Sequence, residues 1–139
     1  MKDWERLLSE AYEARKNSYC PYSGFAVGAA LLTKDGAIYR GCNVENASFG
    51  ATNCAERTAL FSAVADGRGK GDFAAIAIVG GKKDGELVPC PPCGICRQAI
   101  SEFVDAEEFT VLWAVGTDGA FEDCEAHTIA ELLPGAFAL

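Results

Sequence analysis

From Phe73 to Val79 every residue is apolar, and no other stretch constrains the fold as tightly. The run is far short of the ~20 residues a membrane helix needs. It also lacks the alternation of a strand with one wet face. It reads as a central strand buried on both faces, and such a strand needs helices above and below it. The rest of the chain supplies them. Residues 3–16 place Trp4, Leu7, Leu8, Ala11 and Tyr12 at the spacing of an amphipathic helix, which ends before Pro21. Cys54 to Ala65 predicts a second helix, capped by Thr52 or Asn53 and stopped by Asp66-Gly67. Cys93 to Val104 predicts a third, with Pro91 and Pro92 at its entry, where a missing N–H is harmless. Thr128 to Leu133 predicts a short fourth, ended by Pro134-Gly135.

Phe25 to Thr33 and Ala37 to Val44 read as a hairpin around Lys34-Asp35-Gly36. Phe109 to Val115 reads as a further apolar strand followed by a turn at Thr117-Asp118-Gly119, and residues 45–53 and 80–92 read as loops. Helices alternating with strands in this order predict an α/β fold, a three-layer mixed β-sheet with helices on both faces. At 139 residues the expectation is a single domain spanning 1–139.

Composition excludes several function classes. Half the residues are apolar, enough for a core without disulfide staples. Twenty acidic and twelve basic residues leave a net charge of −8, which argues against a nucleic-acid partner, because that affinity comes largely from neutralised phosphates. No basic stretch interleaved with aromatics is present to track a single strand. The opening Met1-Lys2-Asp3-Trp4-Glu5 lacks the apolar segment of a secretion signal, so no membrane association and a cytoplasmic location are expected.

Seven cysteines stand against one histidine, His127, which reads as a surface or helix-entry residue. An odd thiol count without an export signal points to metal or catalytic thiols rather than disulfides. Cys93 and Cys96, three apart, share one face of a helix start and can grip one ion. Cys54 opens another helix and offers a third sulfur. Helix N-termini carry partial positive charge that favours thiolate over thiol. Three protein ligands on Zn²⁺ with water in the fourth place is the catalytic pattern, whereas four protein ligands make a structural site.

Glu56, two positions after Cys54, is placed to move a proton between zinc-held water and a substrate nitrogen. Arg57 is placed to offset, by hydrogen bonding to a sulfur, the net −1 of three thiolates on Zn²⁺. Cys90 leaves an alternative open: as a fourth ligand it would close the site and make the chain a non-catalytic zinc module. Pro91 and Pro92 stiffen the link between Cys90 and Cys93 and favour Cys90 lying apart. Cys20, Cys42 and Cys124 read as small core residues.

Five stretches, in order, resemble the short, homotetrameric, zinc-dependent cytidine deaminases: Pro21 to Ala29, Gly41 to Ala47, Cys54 to Ala59, Pro92 to Gln98 and Leu132 to Phe137. The resemblance spans nearly the whole chain. It implies one zinc per subunit on Cys54, Cys93 and Cys96, with Glu56 shuttling protons. It implies a nucleoside substrate, with Asn43 and Glu45 on the ribose hydroxyls, Phe25 and, from a neighbouring subunit, Phe137 against the pyrimidine, and Ala55 as a further substrate-binding residue. The activity implied is hydrolytic deamination of cytidine and 2′-deoxycytidine in pyrimidine salvage. Another small cytosine-containing molecule such as blasticidin S is the alternative substrate. Pro91 stands where the family often has Ser, and Phe49 where it usually has Tyr, so two hydroxyl contacts are missing. Apolar strands and only 23% charged residues independently favour self-association into a closed pocket between subunits.

Overall fold

The computed structural model describes residues 3–117, 119, 121 and 123–139. Helix α1 (Asp3–Arg15) is followed by β1 (Phe25–Thr33), β2 (Ile38–Cys42), α2 (Ala55–Ala65), β3 (Phe73–Lys82), β4 (Leu87–Val88), α3 (Gly94–Ser101), β5 (Thr110–Ala114), β6 (Cys124–Thr128) and α4 (Ile129–Leu132). The strands form one mixed sheet in the order β2-β1-β3-β5-β6, with the short β4 also paired to β3. β3 runs parallel to β5, and the other pairings are antiparallel.

The central strand is the apolar run, and its two faces differ. Ile76 and Ile78 point into a cluster with Leu31, Leu60, Ile100 and Val111, beneath α2 and α3. Ala75, Ala77 and Val79 point the other way, toward Leu7, Leu8 and Ala11 of α1. Bulky side chains on one face and small ones on the other let α1 lie close. At 13 residues α1 is too short to be stable alone, so its helicity rests on this docking. Burying leucines such as Leu7 and Leu8 contributes about 1.5–3 kcal/mol each. Two glycines mark the closest approaches: a Cβ on Gly28 would lie 2.9 Å from Arg15 Cα, and one on Gly41 would lie 3.0 Å from Ala59 Cα, each with α-helix backbone atoms closer still.

The structure corrects several expectations. The stretch 80–92 is not all loop: β3 continues to Lys82, and Leu87–Val88 pairs back onto it. β2 stops at Cys42 because the Asn43 amide takes over its pairing, accepting from Val27 N (2.9 Å) and donating to the Phe25 carbonyl (2.8 Å). α3 ends at Ser101, three residues early. His127 lies on β6, an edge strand whose alternation is too weak to read from sequence, with its ring stacked on Trp113 at 5.1 Å. Cys20 is buried as expected, whereas Cys42 and Cys124 are only half-buried. Of the turn at 117–119, Asp118 lies outside the described residues. Among the described residues no helix is long and apolar enough to cross a membrane.

The β1–β2 turn is tied to the far end of α2 by charge. Arg68 donates to Asp35 at 2.7 Å and to the Tyr39 hydroxyl at 3.1 Å, and Tyr39 donates to Asp66. The Arg68 and Thr33 hydrogen bonds, with the Ala37 amide, hold the Asp35 carboxyl down at about 2, against 3.8 ordinarily. A folded-state value below the unfolded one means stabilisation that is present above the unfolded value and lost as pH falls through the folded one. Asp35→Asn therefore melts below wild type near neutral pH. That gap closes as the pH drops from about 5 to about 2 in thermal melts. A gap that stays constant with pH would show that ionised Asp35 contributes nothing.

Candidate functional site

The N-termini of α2 and α3 carry the thiols that the sequence singled out. Cys54 and Cys93 stand at the N-cap positions in extended backbone (φ −75°, ψ 156° and φ −69°, ψ 168°), and neither makes a side-chain cap hydrogen bond. The cap expected at Thr52 or Asn53 thus falls at Cys54 instead. Thr52 instead accepts from the Asn46 amide (3.0 Å), while Asn53 donates to Thr58, whose hydroxyl donates to the Cys54 carbonyl at 3.1 Å and braces the first turn.

The sulfurs of Cys54, Cys93 and Cys96 all lie within 4.8 Å of one another, with Cys54 and Cys93 3.9 Å apart. Two sulfurs on a tetrahedral zinc, each at about 2.3 Å, are about 3.8 Å apart, so the donor set fits that ion. Its electrostatics agree. The Cys54 thiol is drawn down to about 5, first by a hydrogen bond from Cys96 and then, against the cost of burial, by one from Arg57. Cys96 is pushed up by that same bond and by its burial. Of Cys54 and Cys96, one sulfur ionises at its neighbour's expense, a competition that a bound cation would relieve. Arg57 Nη2 donates to Cys54 Sγ at 3.3 Å, the contact expected of it.

Cys90 stands outside this group among the described residues. A Cβ on Gly80 would meet Cys90 Sγ at 2.8 Å and the Phe25 ring at 3.3 Å, which places Cys90 beside both. Burial pushes its thiol up to about 12, so it stays neutral. Three sulfurs rather than four is the open, catalytic pattern.

Glu56, in the first turn of α2, is only 4% exposed. Burial, then the charge on Cys54, raises its carboxyl to about 7. Ala55 beside it is fully buried.

The remaining predicted residues divide. Val44 bridges Asn53 through paired backbone hydrogen bonds of 3.0 and 2.9 Å, so the segment carrying Asn43 and Glu45 runs alongside the entry to α2. Both side chains are braced. Asn43 Oδ1 accepts from Ser18 and Val27, and Glu45 accepts from the Tyr22 amide (2.9 Å), the Ser23 amide (3.1 Å) and the Ser23 hydroxyl. The Ser23 hydroxyl contact comes first in holding the Glu45 carboxyl below its usual range. Sequence reasoning assigned no role to Ser18 or Ser23, although Ser23 lies within the Pro21–Ala29 stretch that carries the resemblance. Phe25, at the start of β1, is half-buried next to Cys90. Phe137 is not brought to the sulfurs and stands 66% exposed in the C-terminal tail.

Comparison with known proteins agrees with this geometry. Residues 1–112 match the family model for the cytidine and deoxycytidylate deaminase zinc-binding region. A cytidine deaminase from Halalkalibacterium halodurans is 50% identical over 135 residues, covering 97% of this chain and 94% of its own. One from Sporosarcina psychrophila is 47% identical over 136 residues, covering 98% and 92%. The crystal structure of cytidine deaminase from Burkholderia pseudomallei superposes with a TM-score of 0.82 at 46% identity, covering 99% of this chain and 100% of that one. With its zinc-binding region matched and its three sulfurs set at zinc spacing, the chain belongs to the cytidine and deoxycytidylate deaminase family.

Proposed function

We propose that this chain, as one catalytic domain spanning 1–139, hydrolyses cytidine and 2′-deoxycytidine to the uridines and ammonia. The observation that carries this reading is a buried carboxyl, Glu56, two residues from a sulfur of a three-cysteine zinc site. Cys54, Cys93 and Cys96 hold zinc, which when bound supplies Lewis-acid activation of water. Glu56 would take a proton from water and deliver it to the ring nitrogen beside the amino-bearing carbon. The hydroxyl adds to that carbon. Glu56 then carries the second proton from the added hydroxyl to the amine, which leaves as ammonia. Arg57 moderates the negative charge of the sulfurs through Cys54.

Asn43 and Glu45 are the ribose contacts, held in place by Ser18 and Ser23. Asn43 retains one amide N–H, and Glu45 retains an acceptor position on Oε2, the oxygen that accepts only from Ser23, which together suit a diol. Phe25 packs against the pyrimidine, and Ala55 is a further substrate-binding residue. Phe137 completes the pocket from a neighbouring copy in a homotetramer. The expected setting is pyrimidine salvage in the cytoplasm.

Zinc-loaded protein offered cytidine, 2′-deoxycytidine and blasticidin S, and followed by ultraviolet absorbance, is expected to consume the two nucleosides. A chelator should abolish turnover, and added zinc should restore it. Turnover of blasticidin S alone, or none at all with zinc bound, would overturn the assignment.

A further inference from the structure

α3 carries metal ligands at its start and, just beyond Cys96, two long side chains that reach the C-terminal segment. Arg97 donates to the Pro92 carbonyl and to the Leu132 carbonyl, both at 2.8 Å, tying the end of α4 to the entry of α3. Gln98 Nε2 donates to the Phe137 carbonyl at 3.0 Å. Past Pro134-Gly135 the tail has no regular structure, and among the described residues this is the only hydrogen bond to residues 134–139.

Helix geometry decides which site the ring can serve. Side chains advance about 100° per residue, so Gln98 leaves α3 about 200° around from Cys96, away from the sulfurs. Phe137 shares a surface recess with Lys70, Ser101, Glu102 and Ala106, toward the opposite end of α3 from Cys93. Held there, Phe137 lies in a recess by the far end of α3 and is left 66% exposed. An anchored yet exposed phenylalanine gains its hydrophobic contribution only when a second surface covers it.

Building on the assembly proposed above, we infer that Gln98 is a positioning residue acting in trans: by holding the Phe137 carbonyl, it fixes the tail so that the Phe137 ring closes the pyrimidine pocket of a neighbouring copy. Gln98 touches neither the sulfurs nor Glu56, so its effect falls on substrate binding. Gln98→Ala removes the donor. Gln98→Glu keeps the size but sets a carboxylate oxygen against the carbonyl. Each is expected to raise KM for cytidine roughly 3- to 10-fold, the weight of one lost hydrogen bond. Zinc content, assembly mass and kcat should remain those of wild type, and Phe137→Ala should raise KM at least as far.

Mixed assemblies of co-expressed, differently tagged subunits decide the direction. Gln98→Ala subunits have working sites and loose tails, whereas Glu56→Gln subunits have dead sites and anchored tails. A working site served by an anchored tail regains the wild-type KM, giving a low-KM component that neither parent shows. If the mixture keeps the Gln98→Ala value, Gln98 acts within its own subunit and the trans role is overturned, while a raised KM in Phe137→Ala still upholds the role of the ring. If Phe137→Ala leaves KM unchanged, the role of the ring fails, and if the wild-type chain sediments as a monomer, the proposed assembly fails; in either case the role of Gln98 fails with it.

Discussion

Glu56→Gln is expected to keep its zinc and lose its turnover. Glutamine matches the size of glutamate and still hydrogen-bonds, so the first turn of α2 and the packing around a side chain only 4% exposed are preserved. What disappears is a proton carrier. Burial raises this carboxyl above the usual carboxylate range, which suits it to hold a proton between one transfer and the next. An amide cannot. General acid–base assistance is commonly worth about 10²–10⁴-fold, and one carboxyl serving two transfers puts the loss at the upper end or beyond.

The sulfurs of Cys54, Cys93 and Cys96 form the metal group without Glu56, so zinc measured by elemental analysis should stay at the wild-type level. Nucleoside affinity should also persist, since Asn43, Glu45 and Phe25 are untouched. The informative result is therefore a split: rate lost, with metal and binding kept. An active variant would take proton transfer away from Glu56. A variant that loses zinc would make Glu56 part of the metal site instead.

The parts of this chain that sequence revealed are those where one residue type does one job. Phe73–Val79 could only be a two-faced central strand, and β3 is one, with Ile76 and Ile78 on one side and Ala75 and Ala77 on the other. Thiols at two helix starts could be read as one metal site because helix entry fixes direction, and the sulfurs do meet. Less visible was everything that depends on side chains replacing backbone. Asn43 ends β2 by substituting for its ladder, and Ser18 and Ser23 brace Asn43 and Glu45 from a turn some twenty residues upstream. β6 was missed because its alternation rests on Cys124 and Ala126 alone, both small, and the strand is held by pairing to β5 and by the stacking of His127 on Trp113. Phe137 was legible as an aromatic at the C-terminus, but not its tether, since nothing local links Gln98 to a carbonyl 39 residues away.

Gly41→Ala, a single methyl group on β2, is expected to damage both the fold and the metal site. Gly41 pairs with Ala29 of β1, and on this face α2 rests directly on the sheet. The added Cβ would lie 3.0 Å from Ala59 Cα and closer still to the Ala55 carbonyl and the Ala59 amide, all backbone atoms that cannot rotate away. Alanine suits the strand backbone here, since Gly41 is not among the positive-φ glycines, so the effect is steric rather than conformational. Overpacking of this kind costs about 1–3 kcal/mol. The strain has one outlet, displacement of α2. That helix begins with Cys54 at its cap and Glu56 in its first turn, so lifting it moves one sulfur out of register with Cys93 and Cys96, which belong to α3. The melting temperature and the zinc affinity should therefore fall together, measured by calorimetry and by competition with a chelator. Gly50→Ala is the control: a Cβ there meets nothing within 4 Å, and its stability change should stay within about 0.5 kcal/mol. Were Gly41→Ala to melt like wild type and hold zinc as tightly, the close seating of α2 on β2 would not be what sets the three sulfurs.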